Sequence, residues 1–116
     1  MPFFHEIFFD IMNYSIYPYD LDWGPFTLDG FHSSENTALH IFNFSFRGSE
    51  ETDRIIRFSV GRINWASHNL PINCIQKVIF DIRGQKISDD LKKNIQLRIE
   101  SQVNVESKYV TIQFYQ

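Results

Sequence analysis

The run Thr37 to Phe46, TALHIFNFSF, sets the strongest constraint on the fold. Period-two alternation places His40, Phe42, Phe44 and Phe46 on one side and Leu39 and Ile41 on the other, the pattern of a sheet strand with one heavily buried face. A strand of this kind needs partners. Residues 26–31 offer one, and Ile56, Phe58 and Val60 alternate within residues 54–65, so the polar run RGSEETD (Arg47 to Asp53) reads as a solvated hairpin turn. Cys74, Val78, Phe80 and Ile82 share a face over residues 74–83, after a loop SHNLPIN around Pro71 and before the break at Arg83-Gly84. Ile95, Leu97 and Ile99 alternate, as do Val110, Ile112 and Phe114, with VNVESK between them as a closing hairpin.

Helical signals are fewer. Phe4, Ile7, Phe8 and Ile11 recur at helical spacing over residues 3–14, with Glu6 and Asp10 opposite and Pro2 where a first turn tolerates it. Ser88 followed by Asp89 and Asp90 resembles a capped helix start. Extending that helix to Ser101 puts Leu91, Ile95 and Ile99 four apart but turns Leu97 to solvent, so strands are favoured there. The expected fold is α+β, one domain over residues 1–116, with the N-terminal helix packed on a mainly antiparallel sheet of five or six strands.

Charge is divided unevenly. Residues 1–46 contain six acids and no Lys or Arg, a formal charge of −6, whereas residues 47–116 carry all eleven basic groups and a charge of +3. Thirteen of the nineteen aromatic residues also lie in the first portion. Its centre is Tyr17 to Pro25, YPYDLDWGP, a loop too punctuated by proline and glycine for regular structure. An asymmetry of this kind bears on partners rather than on fold.

Chemical readings of that portion meet obstacles. Asp20-x-Asp22 begins like a calcium loop, but Gly24 and Phe31 stand where further oxygen ligands belong. His5, His32, His40, His68 and Cys74 show no paired zinc spacing. His32-Ser33-Ser34-Glu35 has residue types used in acyl transfer without the nucleophile elbow, and reads as a polar turn. Cys74, alternating with apolar neighbours, reads as a buried inert thiol. Asp20, Asp22 and Asp29 with Tyr17, Tyr19 and Trp23 as platforms would suit a sugar-binding or hydrolytic domain only if two carboxylates faced each other at roughly 5 to 9.5 Å across a cleft. No glycine-rich phosphate loop is present, and the aromatics sit with acids instead of bases, which opposes nucleic-acid binding. No motif implies a metal or another cofactor.

No run of about eighteen apolar residues occurs, and the start MPFFHEIFFD lacks the basic region of a signal peptide. A single cysteine agrees with a reducing compartment, so a cytoplasmic protein without a membrane partner is expected, and the Asn-x-Ser matches at Asn13 and Asn43 carry no weight. Protein recognition remains: Tyr and Trp supply anchoring area, and carboxylates steer a basic partner. The candidate contact residues are Tyr17, Tyr19, Asp20, Asp22, Trp23, Asp29 and Glu35.

With those seven residues in an acidic single domain, the chain resembles, over its whole length and in style, the immunity proteins of bacterial toxin–immunity pairs, including those of contact-dependent growth inhibition. The resemblance implies a non-enzymatic protein that binds and neutralises a cognate toxin, commonly a basic nuclease. A sugar-binding or hydrolytic domain using the same loop, or a subunit of a larger assembly, is the alternative expectation.

Overall fold

The structure, a computed structural model, describes residues 28–116. The expected helix over residues 3–14 and the loop over 15–25 lie outside the described residues. Strand β1 spans Gly30–His32 and β2 Thr37–Phe42; helix α1 spans Ser49–Ser67; β3 spans Ile75–Asp81; helix α2 spans Asp89–Gln102; β4 spans Val110–Tyr115. Short 3-10 turns, Ser33–Glu35 and Ser107–Tyr109, precede β2 and β4. Helices and sheet together make the fold α+β, as expected. The sheet, however, is a mixed one of four described strands in the order β1-β2-β3-β4, with β1 antiparallel to β2 but β2, β3 and β4 all parallel.

The difference from an antiparallel sheet originates in α1. Residues 49–67 form a nineteen-residue helix where a turn and a strand were expected. Thr52, Ile55, Ile56, Ser59, Ile63 and Ala66 are its buried positions, a three-to-four-residue repeat, while Phe58, on the same face as Ile56 and Val60 in a strand, is 43% exposed. Ile56 and Val60 are four apart and satisfy both periods, which is why alternation alone misleads. The RGSEETD segment starts the helix: Gly48 takes φ 130°, a backbone that glycine accepts readily, and Glu50 and Glu51 sit in the first turn, where the dipole favours acids. Once residues 49–67 are helical, β2 and β3 are joined by a crossover of the length that parallel pairing needs.

The same correction applies to α2. Ser88 caps it, its Oγ accepting from Leu91 N at 3.1 Å, and the helix runs on through residues 95–99 where a strand was expected. Ile95 and Ile99 are fully buried and Leu97 is 56% exposed. The polar VNVESK stretch is therefore the return of a second crossover, not a hairpin, and β4 pairs in parallel with β3 from Gln76↔Val110 to Asp81↔Tyr115.

Strand β2 stops at Phe42, short of the expected Phe46. Beyond it Gln85 braces the chain: its Nε2 donates to Phe44 O at 2.8 Å and its Oε1 accepts from Phe46 N at 3.1 Å. Phe44 and Phe46 still pack on the core but make no ladder. That core joins Ile55, Ile56 and Ile63 of α1 and Ile95 and Ile99 of α2 to Phe42, Val78, Phe80 and Val110, so both helices cover one face of the sheet. On the other face Leu39, Ile41 and Ile79 are buried as well. Among the described residues no helix is long and apolar enough to cross a membrane.

Candidate partner-binding site

Of the seven residues expected to contact a partner, Tyr17, Tyr19, Asp20, Asp22 and Trp23 lie outside the described residues. Asp29 and Glu35 flank β1 and have different surroundings. Asp29 Oδ2 accepts from Ile41 N at 2.6 Å and from Arg62 Nη2 at 3.1 Å, with the two side chains only 20% and 12% exposed. Burial pushes the Asp29 carboxyl up; Arg62 and the Ile41 amide pull it down by less. Its partner stands 33 residues away on α1. The acids of the first 46 residues are thus not all without a base, and Asp29 is held by the fold.

Beside this pair lies a second buried polar contact. His40 Nε2 and Gln76 Oε1 are 2.7 Å apart, and Gln76 Nε2 donates to Ile63 O at 3.2 Å. Because the Gln76 amide nitrogen is committed to that carbonyl, its oxygen must accept, so His40 Nε2 carries the proton and Nδ1 is the bare nitrogen. Nδ1 has no hydrogen-bond partner, and His40 is fully buried and stacked near Phe42. Burial, reinforced by the Arg62 charge and only partly offset by Gln76, pushes its pKa down to about 3. A group so depressed is a neutral core histidine at ordinary pH.

The sign of its linkage follows. Between pH 6.5 and about 3 the unfolded chain binds the His40 proton and the folded chain does not, so stability falls as pH falls through that window. The expected slope is up to about 1.4 kcal/mol per pH unit from this one residue. Asp29, raised from 3.8, acts in the opposite sense just above that value. Urea unfolding from pH 7 to 4 should show the decline, and His40→Gln should flatten it whatever it does to stability at pH 7.

Glu35 is exposed, in the turn between β1 and β2. The HSSE motif forms that turn, with Ser34 Oγ 3.0 Å from His32 Nδ1. Asn36, at φ 48°, binds the turn to the loop after α1: its Nδ2 donates to Ile72 O at 3.1 Å, and its own carbonyl accepts from Ile75 N at 3.0 Å. Glu35 therefore sits at the end of the sheet where β2 and β3 begin. Cys74 lies at this end too, buried as expected, with burial pushing its thiol up and making the thiolate scarcer.

At the same end a cavity of about 340 Å³ opens between the α1–β3 loop and the α2–β4 connection. Leu70, Pro71, Cys74 and Val105 give it apolar walls, and Asn73, Glu106 and Tyr109 supply polar groups. Ile72, also lining it, is 85% exposed. Tyr109 Oη donates to Asn73 Oδ1 at 2.9 Å, tying the two connections together, and Asn104 N donates to Asn64 Oδ1 of α1 at 2.7 Å. Two apolar residues beside the proline of SHNLPIN are the signal in the sequence that this loop is more than a solvated connection.

Apolar walls, amides and a phenol suit recognition, and the lining carboxylate, Glu106, is paired with Lys108 at 3.4 Å. Among the described residues no group of three His, Cys, Asp or Glu is placed to hold a metal ion. No protein-family model matches the chain, and neither curated proteins nor solved structures give a match.

Proposed function

We propose that this protein is a non-enzymatic binding module that engages a basic protein partner, most concretely an immunity protein of a bacterial toxin–immunity pair that neutralises a nuclease-type toxin in the cytoplasm. The observation that carries the reading is the acidic, aromatic first portion, six acids and no Lys or Arg over 46 residues. Asp29 is taken up by the fold through Arg62 and Ile41, and steering of a basic surface would use the other five directly. The geometry supports it in two ways. Glu35, the exposed one of the two described acids from the first portion, stands at the same end of the sheet as the cavity and the Ile72 backbone, with Lys77 as a neighbouring charge. Asp29, His40 and Cys74, whose titration burial shifts, are tied into the fold.

Contact on this reading runs through Tyr17, Tyr19, Asp20, Asp22, Trp23 and Glu35, while Asp29 fixes the start of β1. Asp20, Asp22 and Glu35 stand in for phosphates against the toxin's Lys and Arg. The test is co-expression of the full chain with the toxin domain encoded beside it. The expected result is a stoichiometric complex with a basic domain and restored growth of the host. A neighbouring partner that is acidic, or growth arrest that the chain does not relieve, contradicts the proposal.

A further inference from the structure

The described sheet ends in two unlike edges. Strand β1 closes one with three residues, Gly30–His32, whereas β4 closes the other with six, Val110–Tyr115, and among the described strands it pairs with β3 alone. A very short edge strand is a natural guard against sheet extension, and so are charge and proline on the strand. β4 has none of these. Residues 110–116 read VTIQFYQ, without a charged residue, a proline or a glycine.

Register shows which backbone groups point outward. Tyr115 O accepts from Ile82 N at 3.0 Å, so Tyr115 turns its peptide groups toward β3, and by alternation along the strand Gln113 and Thr111 do the same. Ile112 and Phe114 therefore present N–H and C=O to the outer edge. Their side chains pack half-buried against the core on the helix-covered face, while Thr111 and Gln113 are exposed on the other.

Helix α2 adds a flank above that edge. Arg98 turns toward α1, where Asp53 lies 2.7 Å away, so the side of α2 that faces away from α1 and toward β4 holds Lys92, Gln96 and Glu100 at four-residue spacing. Lys92 is 3.6 Å from Asp89, and Gln96 Nε2 donates to Glu100 Oε1 at 3.3 Å. The stripe runs from a base to an acid.

We propose that β4 pairs antiparallel with β4 of a second copy of this chain, about a two-fold axis at Gln113, joining two sheets into one. In this register Ile112 of each copy exchanges N–H and C=O with Phe114 of the other, a β-branched residue against an aromatic, and Gln113 faces Gln113. The pleat keeps apolar side chains on the helix-covered side and polar ones opposite. The same axis sets the two α2 stripes antiparallel, with the Lys92 end of one toward the Glu100 end of the other. One strand thus supplies both halves of a self-complementary contact. The contact uses β4 and α2 and is independent of the acidic first portion.

The test is sedimentation velocity of the full chain over a concentration series, read together with amide hydrogen exchange. The native chain should form a reversible dimer, and Gln113→Lys, which sets two lysines opposite each other across the axis, should weaken it at least about tenfold. The unfolding midpoint of the dilute chain should not move, because Gln113 is exposed. An equimolar mixture of Gln113→Lys and Gln113→Glu should associate again. Exchange at the Ile112 and Phe114 amides should be fast in the dilute chain and slow in the concentrated one, with Thr111 and Gln113 slow in both. A chain that stays monomeric at high concentration, or a dimer that Gln113→Lys leaves intact, overturns the proposal. So does slow exchange at Ile112 and Phe114 in the monomer, which would place another part of the chain on that edge. A monomer in which those amides slow only when a basic protein partner is added overturns it as well, since the partner then supplies the strand.

Discussion

Asp29→Asn is expected to lower the free energy of unfolding by about 3 kcal/mol, measured by urea denaturation at pH 7. The substitution keeps the shape of the side chain and removes the charge that faces Arg62 across 3.1 Å in surroundings where the two side chains are 20% and 12% exposed. The cost comes from withdrawing a carboxylate from a largely buried guanidinium and from the Ile41 amide, more than from any net strength of the pair. The direction of the Asp29 shift agrees: burial raises the carboxyl by more than Arg62 lowers it, so the intact pair is not strongly stabilising in itself. The double variant Asp29→Asn/Arg62→Gln should therefore recover part of the loss, and the cycle should return a coupling of one sign. Glu35→Gln, at an exposed turn, should change stability by no more than about 0.5 kcal/mol. If Asp29→Asn were as harmless as Glu35→Gln, the placement of Asp29 in the fold would be wrong.

A second large effect separates the helical from the strand arrangement of residues 95–99. In a strand Ile95, Leu97 and Ile99 share one buried face. In α2, Ile95 and Ile99 point into the core that contains Phe80, and Leu97 is 56% exposed. Ile99→Ala is then expected to cost about 3 kcal/mol and Leu97→Ala no more than about 0.5 kcal/mol, by the same denaturation measurement. Equal, large losses at both positions would return the segment to a strand.

These two residues also show how far the sequence could be read. The core strands were legible because their apolar residues are numerous and short-range: TALHIF and the VIFDI of residues 78–82 lie in β2, β3 and the residue just after β3. Parallel strands buried on both faces still alternate enough to be found, but alternation says nothing of direction. Direction depended on α1, whose Ile56 and Val60 satisfy a strand and a helix together; the decisive residues were Ile55, Ile63 and Ala66, visible only over a longer window. At Ser88 the cap was legible and the length of the helix was not, because Leu97 was assumed to require burial, whereas a single exposed Leu is ordinary.

The site was less legible than the fold. Asp29 was counted with Asp20 and Asp22 because they are close in sequence, yet its partner comes from α1, and long-range ion pairs leave no local mark. The cavity is assembled from two crossover loops that meet only when the sheet is parallel, so an antiparallel reading could not have produced it. Glu35 was placed correctly in a polar turn, because Ser and Asn-rich segments between apolar runs are turn-formers by local hydrogen bonding.

The central claim is that Asp20, Asp22 and Glu35 act on a partner while Asp29 acts on the fold. It is tested most directly by the association rate of the full chain with the purified basic toxin domain, measured from low to high salt, for the native protein and for Asp20→Asn/Asp22→Asn/Glu35→Gln. Association of the native protein should slow steeply as salt rises, and the variant should associate at least about tenfold more slowly at low salt with a much flatter dependence. An association rate and salt dependence unchanged by the three substitutions would contradict the account.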